Sequence, residues 1–258
     1  MKEENLVKMG VPVIDALIPI GMPRDSFVMI IGESGTGKTA LMLHLLYARL
    51  KRKEPCIYIC FDDSPNAIIQ QLSSFGWCPT KYIEANLLHF IDCFSYRAKQ
   101  SNTLPYVTFI ENPQGYYSML TDIIASSFEK FTLHDCQGAV FLDSMTEFLT
   151  QVDLAKGIET IKTWRAEFSK SRNILCFGTF HIGIKPLEGV EEMLEYIMDG
   201  IIDCRFEPNF MREGVLLKQL RIRKLKGAPH RSRWVFFTIT RRGVTSIDVK
   251  TIKHQTSL

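Results

Sequence analysis

The sequence has no apolar run approaching the roughly 18 to 20 residues that a membrane-spanning helix needs. Stretches such as Phe27-Val28-Met29-Ile30-Ile31 stop at glycine or charge, so no membrane contact is expected. The start, Met1-Lys2-Glu3-Glu4-Asn5, lacks the charged-then-apolar order of an export signal, and Pro12, Asp15 and Pro19 interrupt the first long apolar stretch. No C-x-x-C pair occurs among Cys56, Cys60, Cys78, Cys93, Cys136, Cys176 and Cys204, and seven is an odd number. That pattern argues against a disulfide or zinc framework and for free, buried thiols in a reducing cytoplasm. Internal repeats, low-complexity tracts and Gly/Ser-rich linkers are also missing, so residues 1–258 are read as a single domain. An excess of either charge is missing too: 31 Lys and Arg against 28 Asp and Glu give a formal charge of only +3. The chain as a whole is therefore no polycation, and any basic surface must be local.

What is present is an ordinary globular composition, 46% hydrophobic and 23% charged, which excludes disorder over most of the length. The apolar pattern alternates between strand and helix. Phe27 to Ile31 reads as a buried strand, and Thr39 to Arg52 as a helix with Leu41, Leu45 and Ala48 on one face. Strands are expected at Cys56 to Phe61, Leu87 to Ile91, Ala139 to Leu142 and Asn173 to Phe180. Helices are expected from Ser64-Pro65 to about Phe75, from Tyr117 to Phe131 and from Leu154 to Ser171. Residues 97–117 carry two prolines and no clear period, and read as a loop. Val215 to Ile222 and Trp234 to Ile239 read as an antiparallel hairpin around Gly227-Ala228-Pro229. Together these elements predict an α/β fold: a mainly parallel sheet with helices on both faces, extended at one edge by the C-terminal hairpin.

Gly32-Glu33-Ser34-Gly35-Thr36-Gly37-Lys38-Thr39 fits G-x-x-x-x-G-K-[ST] at every fixed position, directly after a strand and directly before a helix. In such a loop the backbone N–H groups turn inward around a phosphate, and the helix starting near Ala40 adds its positive end. Lys38 supplies charge to the β- and γ-phosphates, and Thr39 can place its hydroxyl on Mg2+. A second candidate is Gly138-Ala139-Val140-Phe141-Leu142-Asp143-Ser144, an apolar strand ending in a carboxylate. In a parallel sheet Asp143 would emerge at the same edge as the phosphate loop, as a metal-supporting Walker B residue.

These motifs, with the segment around Asp62-Asp63, make nearly the whole chain resemble a RecA-superfamily ATPase of the KaiC-like group, close to archaeal RadA-paralogue proteins. Gly10-Val11-Pro12-Val13-Ile14-Asp15-Ala16-Leu17 and Ile20-Gly21-Met22-Pro23 are similar to that family's opening. Ile57 to Pro65 resembles its second strand and carboxylate pair, Asp199-Gly200-Ile201-Ile202 a later strand, and Lys224-Leu225-Lys226-Gly227 with His230 its late basic segment. The resemblance implies a RecA-like P-loop core and a homo-oligomeric ring, often hexameric, with ATP between subunits. Lys224 and Lys226 would then reach a neighbour's phosphates, though Lys226 stands where the family usually has arginine and lacks the bidentate fork. Asp62 and Asp63 replace the usual tandem glutamates. Either one can polarise the attacking water, but each is shorter than Glu by one methylene, about 1.5 Å, so slow hydrolysis is expected. The alternative is that the pair caps the helix opening at Pro65. His181 ends the strand where this superfamily places a polar γ-phosphate sensor; a histidine satisfied by local backbone is the plain alternative.

Lys218 to Arg242 contains nine Lys and Arg and no Asp or Glu, interleaved with Trp234 and Phe236. Such a hairpin suits single-stranded DNA, with charges on phosphates and rings on bases. Leu220, Ile222, Val235 and Phe237 alternate instead like core-facing strand residues. The loop after the sensor strand, residues 182–198, holds Glu188, Glu191, Glu192 and Glu195 against Lys185, a surface that repels phosphates. Three readings follow in order: a slow Mg-dependent ATPase whose nucleotide state sets assembly or partner contact, a recombination accessory binding single-stranded DNA, and a nucleotide-binding scaffold without turnover. The sequence names no protein partner.

Overall fold

Parallel strands buried on both faces read as continuous apolar runs, because helices cover each side. The computed structural model, which describes residues 5–98, 104–111, 117–131, 138–212 and 216–247, builds this arrangement. The chain opens with β1 (Leu6–Val7), α1 (Pro12–Asp15) and β2 (Met22–Pro23); β1 and β2 pair antiparallel apart from the main sheet. There follow β3 (Phe27–Gly32), α2 (Lys38–Lys51), β4 (Cys56–Cys60), α3 (Pro65–Ser74), α4 (Thr80–Glu84), β5 (Leu88–Asp92), β6 (Val107–Phe109) and α5 (Tyr117–Glu129). The second half runs β7 (Ala139–Asp143), α6 (Met145–Thr150), α7 (Leu154–Trp164), β8 (Leu175–His181), α8 (Val190–Ile197), β9 (Gly200–Phe206), α9 (Pro208–Arg212), β10 (Lys218–Leu225), β11 (Val235–Thr240) and β12 (Gly243–Ser246).

The main sheet has the order β12-β11-β10-β9-β3-β8-β7-β4-β5-β6. From β9 to β6 all neighbours are parallel, and β10, β11 and β12 continue from β9 as antiparallel strands. Period-two alternation sorts the core: Val28, Ile30, Tyr58 and Phe90 face the layer holding α2, α3 and α4. Phe27, Met29, Ile57 and Ile59 face the layer of α5, α6, α7 and α8. Leu41, Leu45 and Ala48 are buried on the inner face of α2, as their spacing predicts. Ser64 caps α3, its hydroxyl accepting from Ala67 N.

Four expectations are corrected. Residues 97–117 are not wholly a loop: Val107–Phe109 adds β6 as the outer parallel strand, held on β5. Residues 182–198 are not a loop but contain α8, whose Val190, Leu194 and Ile197 bury at helical spacing. The helix expected to reach Ser171 changes at Arg165, where Arg165–Ser171 continue as a π-helix. The C-terminal strands lie a few residues later than expected, and β12 extends the hairpin to three antiparallel strands beyond β9; Val215 and Cys136 lie outside the described residues. Cys56, Cys60, Cys93, Cys176 and Cys204 are buried free thiols, while Cys78 is exposed.

Candidate nucleotide site

The phosphate loop leaves the carboxyl end of β3, a central strand, and turns directly into α2. Gly37 takes φ 95 at the N-cap of α2, a left-handed conformation that glycine adopts without a Cβ penalty. Gly32 is required for a different reason: a Cβ there would stand 2.1 Å from the Cys204 carbonyl oxygen on the adjoining strand β9. The Thr36 hydroxyl donates to the Glu33 carbonyl at 2.8 Å and closes the turn. Glu33, Ser34 and Gly35 form its exposed outer side, and Thr39 and Ala40 lie half-buried in the first turn of α2.

Lys38 is 4% exposed. Its ammonium donates to the Gly32 carbonyl at 2.8 Å and the Glu33 carbonyl at 2.7 Å. Burial pulls its pKa below the usual lysine value, while the charges of Asp143 and Asp62 act in the opposite direction. The ammonium is thus held at the loop by two carbonyls, an arrangement that an arriving phosphate can replace with stronger charge-assisted bonds.

Asp143 ends β7 at the same sheet edge, fully inside the protein. Burial raises its pKa, and two hydrogen bonds resist that rise: the Thr179 hydroxyl donates at 2.5 Å and the Tyr58 hydroxyl at 2.7 Å. Both donors come from neighbouring strands, β8 and β4, and fix the carboxylate's orientation. Among the described residues no group of three His, Cys, Asp or Glu side chains could hold a metal on its own. The donor set suits Mg2+ bound with a nucleotide, where one hydroxyl, one carboxylate, waters and phosphate oxygens share the coordination. Thr39 and Asp143 are the residues that would hold it.

The carboxylate pair after β4 divides. Asp62 turns toward the site, accepting from the Ser144 hydroxyl at 3.0 Å and standing 3.7 Å from His181 Nε2. Asp63 turns away: it accepts from Ser64 N at 2.8 Å and from Gln71 Nε2 at 3.1 Å, binding the start of α3 to its second turn. His181 ends β8 in register with Gly32. Its backbone N donates to the Thr146 hydroxyl at 2.7 Å, leaving the ring beside Asp62. Tyr58, Ser144, Thr146 and Thr179 were not singled out by sequence reasoning. Nothing in their spacing marks them, because each acts through a strand or helix that only the fold brings alongside.

Lys224 and Lys226 are not brought to this site. They lie at the opposite end of the sheet, where the Lys224 ammonium donates to the Glu195 carbonyl and Lys226 N to the Asp199 carbonyl. Gly32 is in register with Cys204, and five residues separate it from Asp199, about 17 Å along the strand. The basic strands are also partly neutralised. Arg221 and Arg223 both pair with Asp203, and Arg223 also pairs with Glu195 on α8. The guanidiniums of Arg205 and Arg221 lie 3.8 and 4.6 Å from the Trp234 ring centroid, so this ring already stacks on cations.

A phosphate loop and a buried strand-end carboxylate on one edge of this sheet define the RecA-like class of P-loop ATPases. Residues 7–251 match the family described as "ATPase: KaiC", and the chain belongs to that family. A UPF0273 protein of Pyrococcus horikoshii is 24% identical over 249 residues, 96% of each chain. The circadian clock oscillator protein KaiC of Parathermosynechococcus lividus is 27% identical over 237 residues, covering 87% of this chain and 39% of that protein. The crystal structure of a KaiC-like protein from Pyrococcus horikoshii superposes with a TM-score of 0.71 at 19% identity, covering 94% of this chain and 99% of the other. That last likeness concerns the fold. Among the described residues no helix is long and apolar enough to cross a membrane.

Proposed function

We propose that the chain works as one ATP-binding unit, a slow Mg-dependent ATPase whose nucleotide state controls its assembly or its contact with a partner. The observation that carries this reading is the buried Lys38 ammonium held at a phosphate loop that shares an edge with Asp143. Lys38 and the loop N–H groups bind the phosphates, and Thr39 with Asp143 holds Mg2+, which offsets phosphate charge when bound. Asp62 aligns the attacking water, with Ser144 and His181 fixing its two oxygens. Slow turnover follows from the short carboxylate, whose oxygens lie against Ser144 and His181.

Lys224 and Lys226 cannot serve their own phosphate loop across the length of the sheet. They suit a head-to-tail neighbour, so activity would require a homo-oligomer with the nucleotide between copies. The single-stranded DNA reading gains little from the hairpin, where Arg221 and Arg223 already face Asp203.

The test measures phosphate release and particle mass together, with Mg-ATP and with or without single-stranded DNA, for wild type and Lys38→Ala. Slow release, larger particles with ATP and indifference to DNA are expected, with all ATP effects lost in Lys38→Ala. ATP binding by Lys38→Ala at wild-type affinity would overturn the assignment. ATP-driven growth of the particle without phosphate release would leave a scaffold rather than an enzyme.

A further inference from the structure

Two partly apolar surfaces lie at opposite ends of the parallel strands, and their charges differ in sign. The first is a cavity of about 640 Å3 at the amino-terminal ends of β3 and β9, where Ser26 and Asp199 line it. Leu6, Ile20, Pro23 and Pro229 form its apolar wall, and Ile20 is 49% exposed there. Arg165 is bound to the buried Asp199, and Lys170 bridges Asp25 and Asp199. Lys226 also lines the cavity, and among the described residues no acid pairs with its ammonium. Three cations against two carboxylates leave this wall with an excess of positive charge.

The second surface follows His181 at the phosphate-loop edge. Ile182 and Ile184, both exposed, share its wall with Glu188 and Glu191 against the single Lys185. Among the described residues no cation pairs with either glutamate. Within one chain the two surfaces cannot meet, because the length of β3 separates them. Between chains their apolar walls and opposite charges suit each other. The head-to-tail reading of Lys226 sets the distance. With Lys226 at a neighbour's γ-phosphate, beside the neighbour's His181, the cavity that Lys226 lines stands at the neighbour's phosphate-loop edge. Ile182 and Ile184 come one and three residues after that histidine, no more than about 10 Å of chain away.

We propose that these surfaces are the two halves of one contact between copies of this chain: the Ile182–Glu191 surface of one copy closes over the cavity beside Lys226 of the next. Leu6 and Ile20 pack against Ile182 and Ile184, while Glu188 and Glu191 meet the positive excess of the cavity wall. The occupant of the cavity is thus a second copy, and the nucleotide lies at the rim of an apolar contact. Ile182 N donates to the Gly32 carbonyl at 3.3 Å, the oxygen that also accepts from the Lys38 ammonium, so the contact is anchored on the phosphate loop itself. It presupposes the head-to-tail placement of Lys226 and supplies the surface that holds that placement.

The test mixes two full-length chains that each keep one half. Ile182→Ser/Ile184→Ser removes one surface and Ile20→Asp the other; all three positions are exposed, so both chains should fold and bind ATP within threefold of wild type, and Ile20→Ser should behave like Ile20→Asp. Particle mass is read by light scattering with Mg-ATP. The wild type should exceed two copies, and each variant alone should need at least tenfold more protein to assemble. Where each is a monomer, an equimolar mixture should give two-chain particles and none larger, since the cavity of the serine chain and the Ile182 surface of the aspartate chain leave one intact contact per pair. Variants that assemble like wild type, or a mixture that stays monomeric or grows beyond two chains, would overturn this pairing and leave a head-to-tail contact made elsewhere. A wild type that stays monomeric with Mg-ATP bound would overturn the pairing and the head-to-tail reading together.

Discussion

Asp62 and Asp63 are adjacent and chemically identical, yet the structure gives them different surroundings, so paired substitutions separate catalysis from capping. Asp62→Asn keeps the shape and one acceptor for Ser144 but removes the negative charge beside His181. A positioned proton acceptor contributes about 10²–10⁴ in rate, and because Asp is short, a loss near the lower end, about 100-fold in kcat, is expected. That corresponds to about 2.7 kcal/mol of transition-state stabilisation. Asp63→Asn should leave kcat within about threefold. It weakens the bonds to Ser64 N and Gln71 and costs about 1 kcal/mol of stability, a fall in Tm of roughly 2 to 4 °C for a chain of this size. Asp62→Glu moves the carboxylate outward by about 1.5 Å and should raise kcat about tenfold. Single-turnover phosphate release with Mg-ATP reads the first effect, and thermal melting of the nucleotide-free protein reads the second. If Asp63→Asn abolished release while Asp62→Asn turned over like wild type, the division drawn from the hydrogen bonds would be refuted.

Two further outcomes follow from the phosphate loop. Gly32→Ala drives a Cβ to 2.1 Å from the Cys204 carbonyl; backbone cannot yield as a flexible side chain would, so about 3 kcal/mol or roughly 6 to 12 °C in Tm should be lost, and an unchanged melt would show the close approach to be unimportant. Burial lowers the pKa of Lys38 in the empty protein, and bound phosphates raise it, so ATP binding takes up a proton at alkaline pH. ATP affinity should therefore fall as pH rises above the empty-site value, by up to about tenfold per unit, whereas the stability of the empty protein rises with pH in the window just below 10.5, where the unfolded lysine binds more proton; calorimetry showing no proton uptake on ATP binding at any pH in that window would contradict this.

The fold was legible where local pattern and global position agree. The phosphate loop, the buried parallel strands and the capped start of α3 each follow from residues adjacent in sequence. Elements governed by distant contacts were harder to read. β6 has only Val107–Phe109, too short to show a period, and exists because β5 offers an open edge. α8 carries a clear helical spacing in Val190, Leu194 and Ile197, but its glutamates drew attention to charge rather than period. Within the site, Asp143 was evident as a strand-end carboxylate, whereas Tyr58 and Thr179 were not, since a hydroxyl on a neighbouring strand has no sequence spacing to the group it orients. The same limit explains the basic hairpin. Nine cations without an acid in one stretch read as a free surface, yet Asp203 and Glu195 arrive from β9 and α8 to pair with Arg221 and Arg223.

A formal charge of +3 therefore averages over two populations. One is spent in contacts between β9, β10 and α8, where removing either partner would leave an uncompensated, half-buried charge. The other is free to act between molecules, with glutamates on the outer face of α8 and Arg231, Arg233, Arg241 and Arg242 exposed around the antiparallel strands. Lys226, exposed at the far end of the sheet from its own phosphate loop, belongs to this second group. If it acts on a phosphate, that phosphate must be another copy's, and a contact joining unlike faces of identical chains is head-to-tail. Such a contact repeats, closing into a ring or running on as a filament, so the reading of Lys226 and growth of the ATP-bound particle stand or fall together. A Lys226→Ala chain that hydrolysed ATP normally as a monomer would remove both.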